Sequence, residues 1–255
     1  MSDDVQSRED TRGIPIEEVG VKNFRYPIVV LDRDHHVQNT IGDFDLRVSL
    51  PKHYKGAHMS RFPRTLVKHI HEINQEGLKN LADDLKKTLK SESVFIKVTF
   101  PYHIRKPAPV THIHAEQVYD CGFIYQGNGD SSDFWIHIEI PVSTVCPCSL
   151  ELTGGKSAHN QRGKLTIEVN TDEFIWIEDI VDMCDEVTNP VHPILKRPDE
   201  KEVTLAMFRR PQFVEDVVRD VYVRLKQDKR IKHCVITSEN FESIHPHNVI
   251  AKVSW

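Results

Sequence analysis

The chain has no long hydrophobic run. Nothing in it approaches the roughly 20 consecutive apolar residues that a membrane-spanning helix needs, and the first twenty residues, rich in Asp, Ser, Glu and Arg, carry no signal-like apolar core. A cytoplasmic location is the resulting expectation, with no membrane partner. Basic excess is lacking too: 33 Lys and Arg stand against 38 Asp and Glu, and no basic stripe interleaved with aromatics could track a phosphate backbone, so nucleic acid is not the expected partner. There is no Walker loop, no Gly-x-Gly-x-x-Gly, no Gly-x-Ser-x-Gly and no His-Glu-x-x-His, which leads away from P-loop enzymes, nicotinamide dehydrogenases, lipase-like hydrolases and zincins. Cysteines are few and odd in number, five in 255 residues. A disulfide framework is therefore not expected, and some thiols are free for metal binding or catalysis.

Fifteen histidines are present, and many fall in close pairs: His35 and His36, His69 and His71, His112 and His114, His245 and His247. Hydrophobic alternation at Phe44 to Leu50, Val94 to Phe100 and Phe134 to Ile140 predicts half-buried antiparallel strands. Between the first two, Leu66, Ile70 and Ile73 and then Leu78, Leu81, Leu85 and Leu89 recur at helical spacing. Pro63 suits a first helical turn and Gly77 suits a break. The second half repeats this plan: alternation at Leu165, Ile167 and Val169, a helical face over Phe174 to Cys184, another over Val214 to Leu225 after Pro211, and final alternation from Val249 to Trp255. Ala-His-x-x-Arg also occurs twice, at Ala57 to Arg61 and Ala158 to Arg162, as a duplication would leave it. The expected architecture is α+β, with antiparallel sheets backed by helices. A disordered tail over 1–20 precedes a first unit over 21–130 and a second over 131–255. Open sheet edges in such a design favour a homo-oligomer.

The densest chemistry lies from Cys146 to Arg162. Cys146-Pro147-Cys148-Ser149 follows a strand, two glycines shape the loop, and His159 returns thirteen residues after Cys146. Thiolate and imidazole both suit a borderline-soft divalent ion, while a turn with a buried thiol pair is the bland alternative. Glu239 to His247 is dense in acids and imidazoles around a bend at Pro246. Its bland alternative is a polar hairpin tip. Lys196-Arg197-Pro198-Asp199-Glu200 looks like a charged, proline-bent loop, and Glu215 falls at a helix start, where a carboxylate is favourable whatever else it does.

Five segments, Cys146 to Ser149, Ala158 to Arg162, Leu195 to Glu200, Phe213 to Asp216 and Glu239 to His245, together resemble the type IB GTP cyclohydrolases over roughly residues 20 to 255. The resemblance implies the tunnelling fold, with two tandem strand-strand-helix-helix-strand-strand units per subunit, a homotetramer, and active sites between subunits. It implies conversion of GTP and water into 7,8-dihydroneopterin triphosphate and formate, at the entry to folate and related pterins, with zinc, manganese or iron(II) as the metal. Cys146 and His159 take the catalytic positions, and Cys146, His159, Glu200, Glu242 and His245 form the implied metal environment. Glu215 holds the purine-type ring, and Arg162, Lys196 and Arg197, with first-half arginines such as Arg61, are candidates for the triphosphate. Two alternatives remain: a related tunnelling-fold enzyme giving another pterin product such as a cyclic phosphate, and a non-catalytic metal- or pterin-binding oligomeric module.

Overall fold

The computed structural model describes residues 5–71, 73–129 and 131–255. Eight strands follow one another in a single sheet in chain order: β1 Ile16–Asp32, β2 His36–Leu50, β3 Ser93–Pro107, β4 His114–Asn128, β5 Ser131–Val145, β6 Asn160–Asn170, β7 His233–Phe241 and β8 Asn248–Ser254. Six helices interrupt them: α1 Arg61–Leu66, α2 Gln75–Leu89, α3 Pro147–Leu152, α4 Ile177–Asp185, α5 Arg197–Arg209 and α6 Val214–Leu225. Two strands, a helical stretch and two strands thus occur twice in the chain. The described residues group into two compact units, one of the chain up to Pro101 with Gly122–Trp135, the other of Tyr102–Cys121 with Ile136–Trp255.

In the first unit β2 runs antiparallel to both β1 and β3, and the alternation that predicted β2 buries Phe44, Leu46, Val48 and Leu50. Leu78, Leu81, Leu85 and Leu89 form the buried face of α2. Each such leucine contributes about 1.5–3 kcal/mol by leaving water. The helix starts at Asn74, whose side-chain oxygen accepts from the Gly77 amide at 2.8 Å. Gly77 is therefore part of a helical first turn and not a break. It ends at Lys90, in the left-handed region at φ 55°.

The first twenty residues differ from the expected tail. Residues 1–4 lie outside the described residues, but beyond them Glu9 bridges Tyr54, the Gly56 amide donates to the Gln6 carbonyl at 3.2 Å, and β1 begins at Ile16. Hydrophobic periodicity does not reveal β1 because its first ten residues stay exposed or half-buried and its register slips twice, before Val19 and before Phe24. The repeated Ala-His-x-x-Arg phrase is no structural repeat either: the first copy leads into α1 and the second into β6. Only the order of elements carries the duplication.

In the second unit β6, β7 and β8 are antiparallel neighbours, and α6 packs on β7 and β8 through Val214, Val217, Val218, Val221 and Leu225. The inward row of β7 is apolar at Cys234 and Ile236 but polar at Ser238 and Asn240, all four being 1% exposed or less. That change of character occurs where the strand approaches the acidic and histidine-rich turn after Phe241. Among the described residues no helix is long and apolar enough to cross a membrane.

The segment read as a charged loop, Lys196 to Glu200, opens a helix instead. Pro198 occupies the first turn of α5, where its missing N–H costs nothing, and Asp199 caps the turn by accepting from the Lys196 amide at 3.0 Å. The same carboxylate accepts from the Val110 and Thr111 amides and the Thr111 hydroxyl at 2.9, 2.8 and 2.7 Å, tying the β3–β4 connection to α5. Burial alone would push the Asp199 pKa up, but these hydrogen bonds outweigh it and hold the carboxyl well below its ordinary range. The depressed folded pKa makes its contribution complete above the unfolded value near 3.8 and progressively lost as pH falls below it. Asp199→Ala is expected to unfold at lower urea than the parent at pH 7, with the gap narrowing steadily as pH falls from about 5 toward 2. Urea titrations across that range check it, and a pH-independent gap would exclude the ionised carboxylate as the source.

Candidate active site

β5 delivers Cys146 at its end. The residue has extended backbone at φ −69° and ψ 117° and caps α3, with Pro147 next in the chain and its sulfur accepting from the Ser149 amide at 3.4 Å. The chain then turns at Gly154 and Gly155, both at positive φ (64° and 78°), a conformation that would strain a side chain. It comes back alongside itself: the Cys146 amide donates to the His159 carbonyl at 3.1 Å, and the His159 amide to the Ser149 hydroxyl at 3.4 Å. The loop that separates Cys146 from His159 in sequence joins them in space. Cys146 is half-buried and Cys148 exposed, while Cys121, Cys184 and Cys234 are buried and burial pushes their thiol pKa values up, that of Cys234 to about 12. Only the first two thiols are reachable from solvent, as a thiolate must be to act.

The third participant comes from β7. Glu242 is the first residue beyond that strand, and its Oε2 lies 3.8 Å from His159 Nδ1, the two side chains being 8% and 17% exposed. That separation is too long for a hydrogen bond, and His159 Nδ1 is buried with no hydrogen-bond partner. An unpaired ring nitrogen beside a nearly buried carboxylate, in a loop whose backbone is bonded to that of Cys146, brings nitrogen, oxygen and sulfur donor types suited to a borderline divalent ion to neighbouring strand ends. These three are the predicted residues that the chain itself brings together.

The other candidates stand apart. Lys196, Arg197 and Glu200 cluster within the first turn of α5, all exposed. Glu215 is exposed in the first turn of α6, and Arg162 is exposed on β6. His245 sits in the exposed β7–β8 turn with its ring stacked on His247, centroids 5.1 Å apart. Among the described residues, no hydrogen bond or ion pair links Glu200, Glu215 or His245 to Cys146 or His159, and no group of three or more His, Cys, Asp and Glu residues is disposed to hold a metal. Sequence reasoning named neither Thr144 nor Gly163 and held Asn240 only as a member of the Glu239 to His245 segment, because a polar residue or a glycine within a strand gives no signal of its own until the register of β6 on β7 is known.

The profile of the type I GTP cyclohydrolase FolE2 family matches residues 2–251, a span that includes all five of the motifs above. The chain belongs to the FolE2 family. GTP cyclohydrolase FolE2 of Thermosipho africanus is 45% identical over 252 residues, covering 98% of this chain and 97% of that protein. The FolE2 of Nitrosococcus oceani is 41% identical over 252 residues, covering 98% and 94%. Among solved structures, uricase from Arthrobacter globiformis superposes with a TM-score of 0.59 at 8% identity, covering 93% of this chain and 92% of that one. Urate oxidase from Bacillus subtilis does so with a TM-score of 0.53 at 10% identity, covering 93% and 98%. At such identities the likeness shows the fold alone, which is the tunnelling fold. Its α+β class is the one the sequence predicts.

Proposed function

We propose that this FolE2 chain catalyses the type IB GTP cyclohydrolase reaction, in which GTP and one water become 7,8-dihydroneopterin triphosphate and formate, supplying the first step of folate and pterin synthesis. The observation that carries the reading is that His159 joins its neighbours at the ends of β5, β6 and β7, its backbone bonded to that of Cys146 and its ring 3.8 Å from the Glu242 carboxylate, in a chain 45% identical to a named GTP cyclohydrolase FolE2. Cys146, His159 and Glu242 would hold a divalent ion, zinc, manganese or iron(II), with Glu200 and His245 completing its surroundings. When bound, such an ion supplies a water of lowered pKa and positive charge where negative charge develops.

The chain's own residues do the rest. Where His159 is not itself holding the ion, it can take a proton at its unpaired Nδ1 while the Glu242 carboxylate, 3.8 Å away, balances the charge. That is the service required when the imidazole ring of the purine opens and formate departs. Glu215 accepts from adjacent ring N–H and amino donors of the purine. Arg162, Lys196 and Arg197 are exposed cations suited to a triphosphate. Since, among the described residues, no hydrogen bond or ion pair links Glu215 or the α5 cluster to Cys146 or His159, the reading includes a homotetramer whose sites draw on more than one subunit.

Purified protein loaded in turn with zinc, manganese and iron(II) and incubated with GTP should release formate and, after oxidation, a fluorescent pterin. No turnover with any of the three sinks the proposal. Removal of the metal is expected to abolish turnover and leave far-UV dichroism unchanged, because the cores behind the sheet are complete without the site. A large loss of dichroism on verified metal removal would show a structural ion instead.

A further inference from the structure

Next to the strand ends that carry Cys146, His159 and Glu242 lies the buried amide of Asn240. Asn240 is 1% exposed on the inward row of β7, continuing the positions of Cys234 and Ile236, where an apolar side chain would fill the same space at no cost in unpaired polar groups. Its Nδ2 reaches the Thr144 hydroxyl on β5 at 3.5 Å, and Thr144 is itself fully buried. Its Oδ1 is buried with no hydrogen-bond partner and lies directly over Gly163 on β6, where a Cβ would sit 2.6 Å from that oxygen and 3.1 Å from a Val142 methyl. Gly163 pairs with Asn240 in the β6–β7 register, so the amide lies across its own cross-strand partner. The φ of Gly163 is not in the left-handed region, so glycine serves there by giving room to the amide and not by permitting an unusual backbone.

One side chain on β7 therefore meets β5 and β6 as well, each of the three strands within four residues of a site residue. Thr144 is followed two residues later by Cys146, Gly163 is preceded four residues earlier by His159, and Asn240 is followed two residues later by Glu242. Gln161, between His159 and Gly163, is 7% exposed and also holds a buried oxygen without a partner. We propose that Asn240 is a positioning residue: lodged between Thr144 and Gly163, it fixes the relative placement of the strand ends that carry Cys146, His159 and Glu242. The role rests on the reading of those three as the reaction centre. A displaced amide shifts all three strand ends relative to one another, and groups that must converge on one ion and one substrate tolerate little such movement.

The test compares Asn240→Leu, Gly163→Ala, Thr144→Val and Thr144→Ser with the parent, each as the full chain. Four quantities are read: iodoacetamide alkylation at Cys146 and at Cys148, resolved by peptide mapping on metal-free protein; zinc affinity by competition with a chromophoric chelator; kcat and KM for GTP; and far-UV dichroism. Asn240→Leu and Gly163→Ala should keep parental dichroism, raise alkylation at Cys146 about 5-fold or more with Cys148 unchanged, and weaken zinc binding by about 10- to 100-fold. The loss in turnover should fall on kcat and leave KM near the parental value. Thr144→Val should show the same signs more weakly, and Thr144→Ser, which keeps the hydroxyl, should behave as the parent. A folded Asn240→Leu with parental alkylation at Cys146 and parental zinc affinity overturns the proposal, as does an equal rise at both cysteines, which would mean general loosening. If Asn240→Leu fails to fold, the contrast between Thr144→Val and Thr144→Ser decides in the same terms. Alkylation needs neither metal nor GTP, so a parent without turnover refutes the cyclohydrolase reading and leaves the positioning role to be judged on Cys146 alone.

Discussion

Cys146→Ala is expected to lose GTP turnover by at least about 100-fold even at saturating metal, whereas Cys148→Ala should lose less than about 10-fold. The upper figure is the high end of what changes merely adjacent to a metal ligand cost, and a proposed ligand should exceed it. Two residues apart in an extended chain, the thiols would share a side and be equivalent. They are not equivalent here, because Cys146 is the cap of α3 and Pro147 starts the helix, so Cys148 is carried round the first turn to an exposed position. Cys146 alone has its backbone tied to His159. Folding should survive either change: replacing a cap residue costs about 1 kcal/mol, and α3, with no buried residue, contributes little to the core. Turnover, metal stoichiometry and size-exclusion profiles measured side by side separate the effects. Full activity in Cys146→Ala would remove the thiolate from the mechanism, and severe loss confined to Cys148→Ala would move the role to the other sulfur.

How far the sequence reveals this molecule depends on whether each element buries a regular face. β2, β3 and β5 alternate along most of their length, and α2 and α6 bury four or five aliphatic residues at helical spacing, so periodicity finds them. α5 buries only Asp199 and Met207. A helix so little embedded shows no apolar stripe, and its first turn, held by a carboxylate cap and opened by Pro198, has the composition of a loop. β4 is hidden for a related reason: its first five residues are exposed or half-buried, and only from Tyr119 onward does it enter the core. The candidate site was proposed from residue types, since Cys146, His159 and Glu242 stand in motifs too dense in metal-binding groups for ordinary strands. Their convergence was not. It depends on the register that sets Arg162 opposite Phe241, and a one-residue slip would turn Asn240 to the other face of the sheet. Register is decided jointly by both strands and their buried neighbours, Gly163 among them, and no single segment of sequence records it.

Glu215→Gln is the second change with a large expected effect, and its value lies in separating substrate from metal. The side chain is exposed in the first turn of α6, with no hydrogen-bond or ion-pair partner among the described residues. The cap of that helix is supplied by its neighbour, Asp216, which accepts from the Phe213 amide at 3.0 Å. Relieved of that duty, the Glu215 carboxylate has both oxygens available to adjacent donors on the purine. Glutamine keeps the shape but turns one acceptor into an N–H donor, facing a ligand donor with no acceptor between them. Leaving such a group unpaired costs about 1–3 kcal/mol, which corresponds to roughly a 5- to 150-fold fall in kcat/KM. If the carboxylate served only the helix, its loss would cost about 0.3–1 kcal/mol of stability and leave kinetics unchanged. Steady-state kinetics with GTP, metal analysis and urea titration on the same preparation distinguish the cases. The expected result is impaired GTP use at full metal content and nearly parental stability. Metal loss in Glu215→Gln would place this carboxylate in the coordination sphere, and parental kcat/KM would remove it from purine recognition.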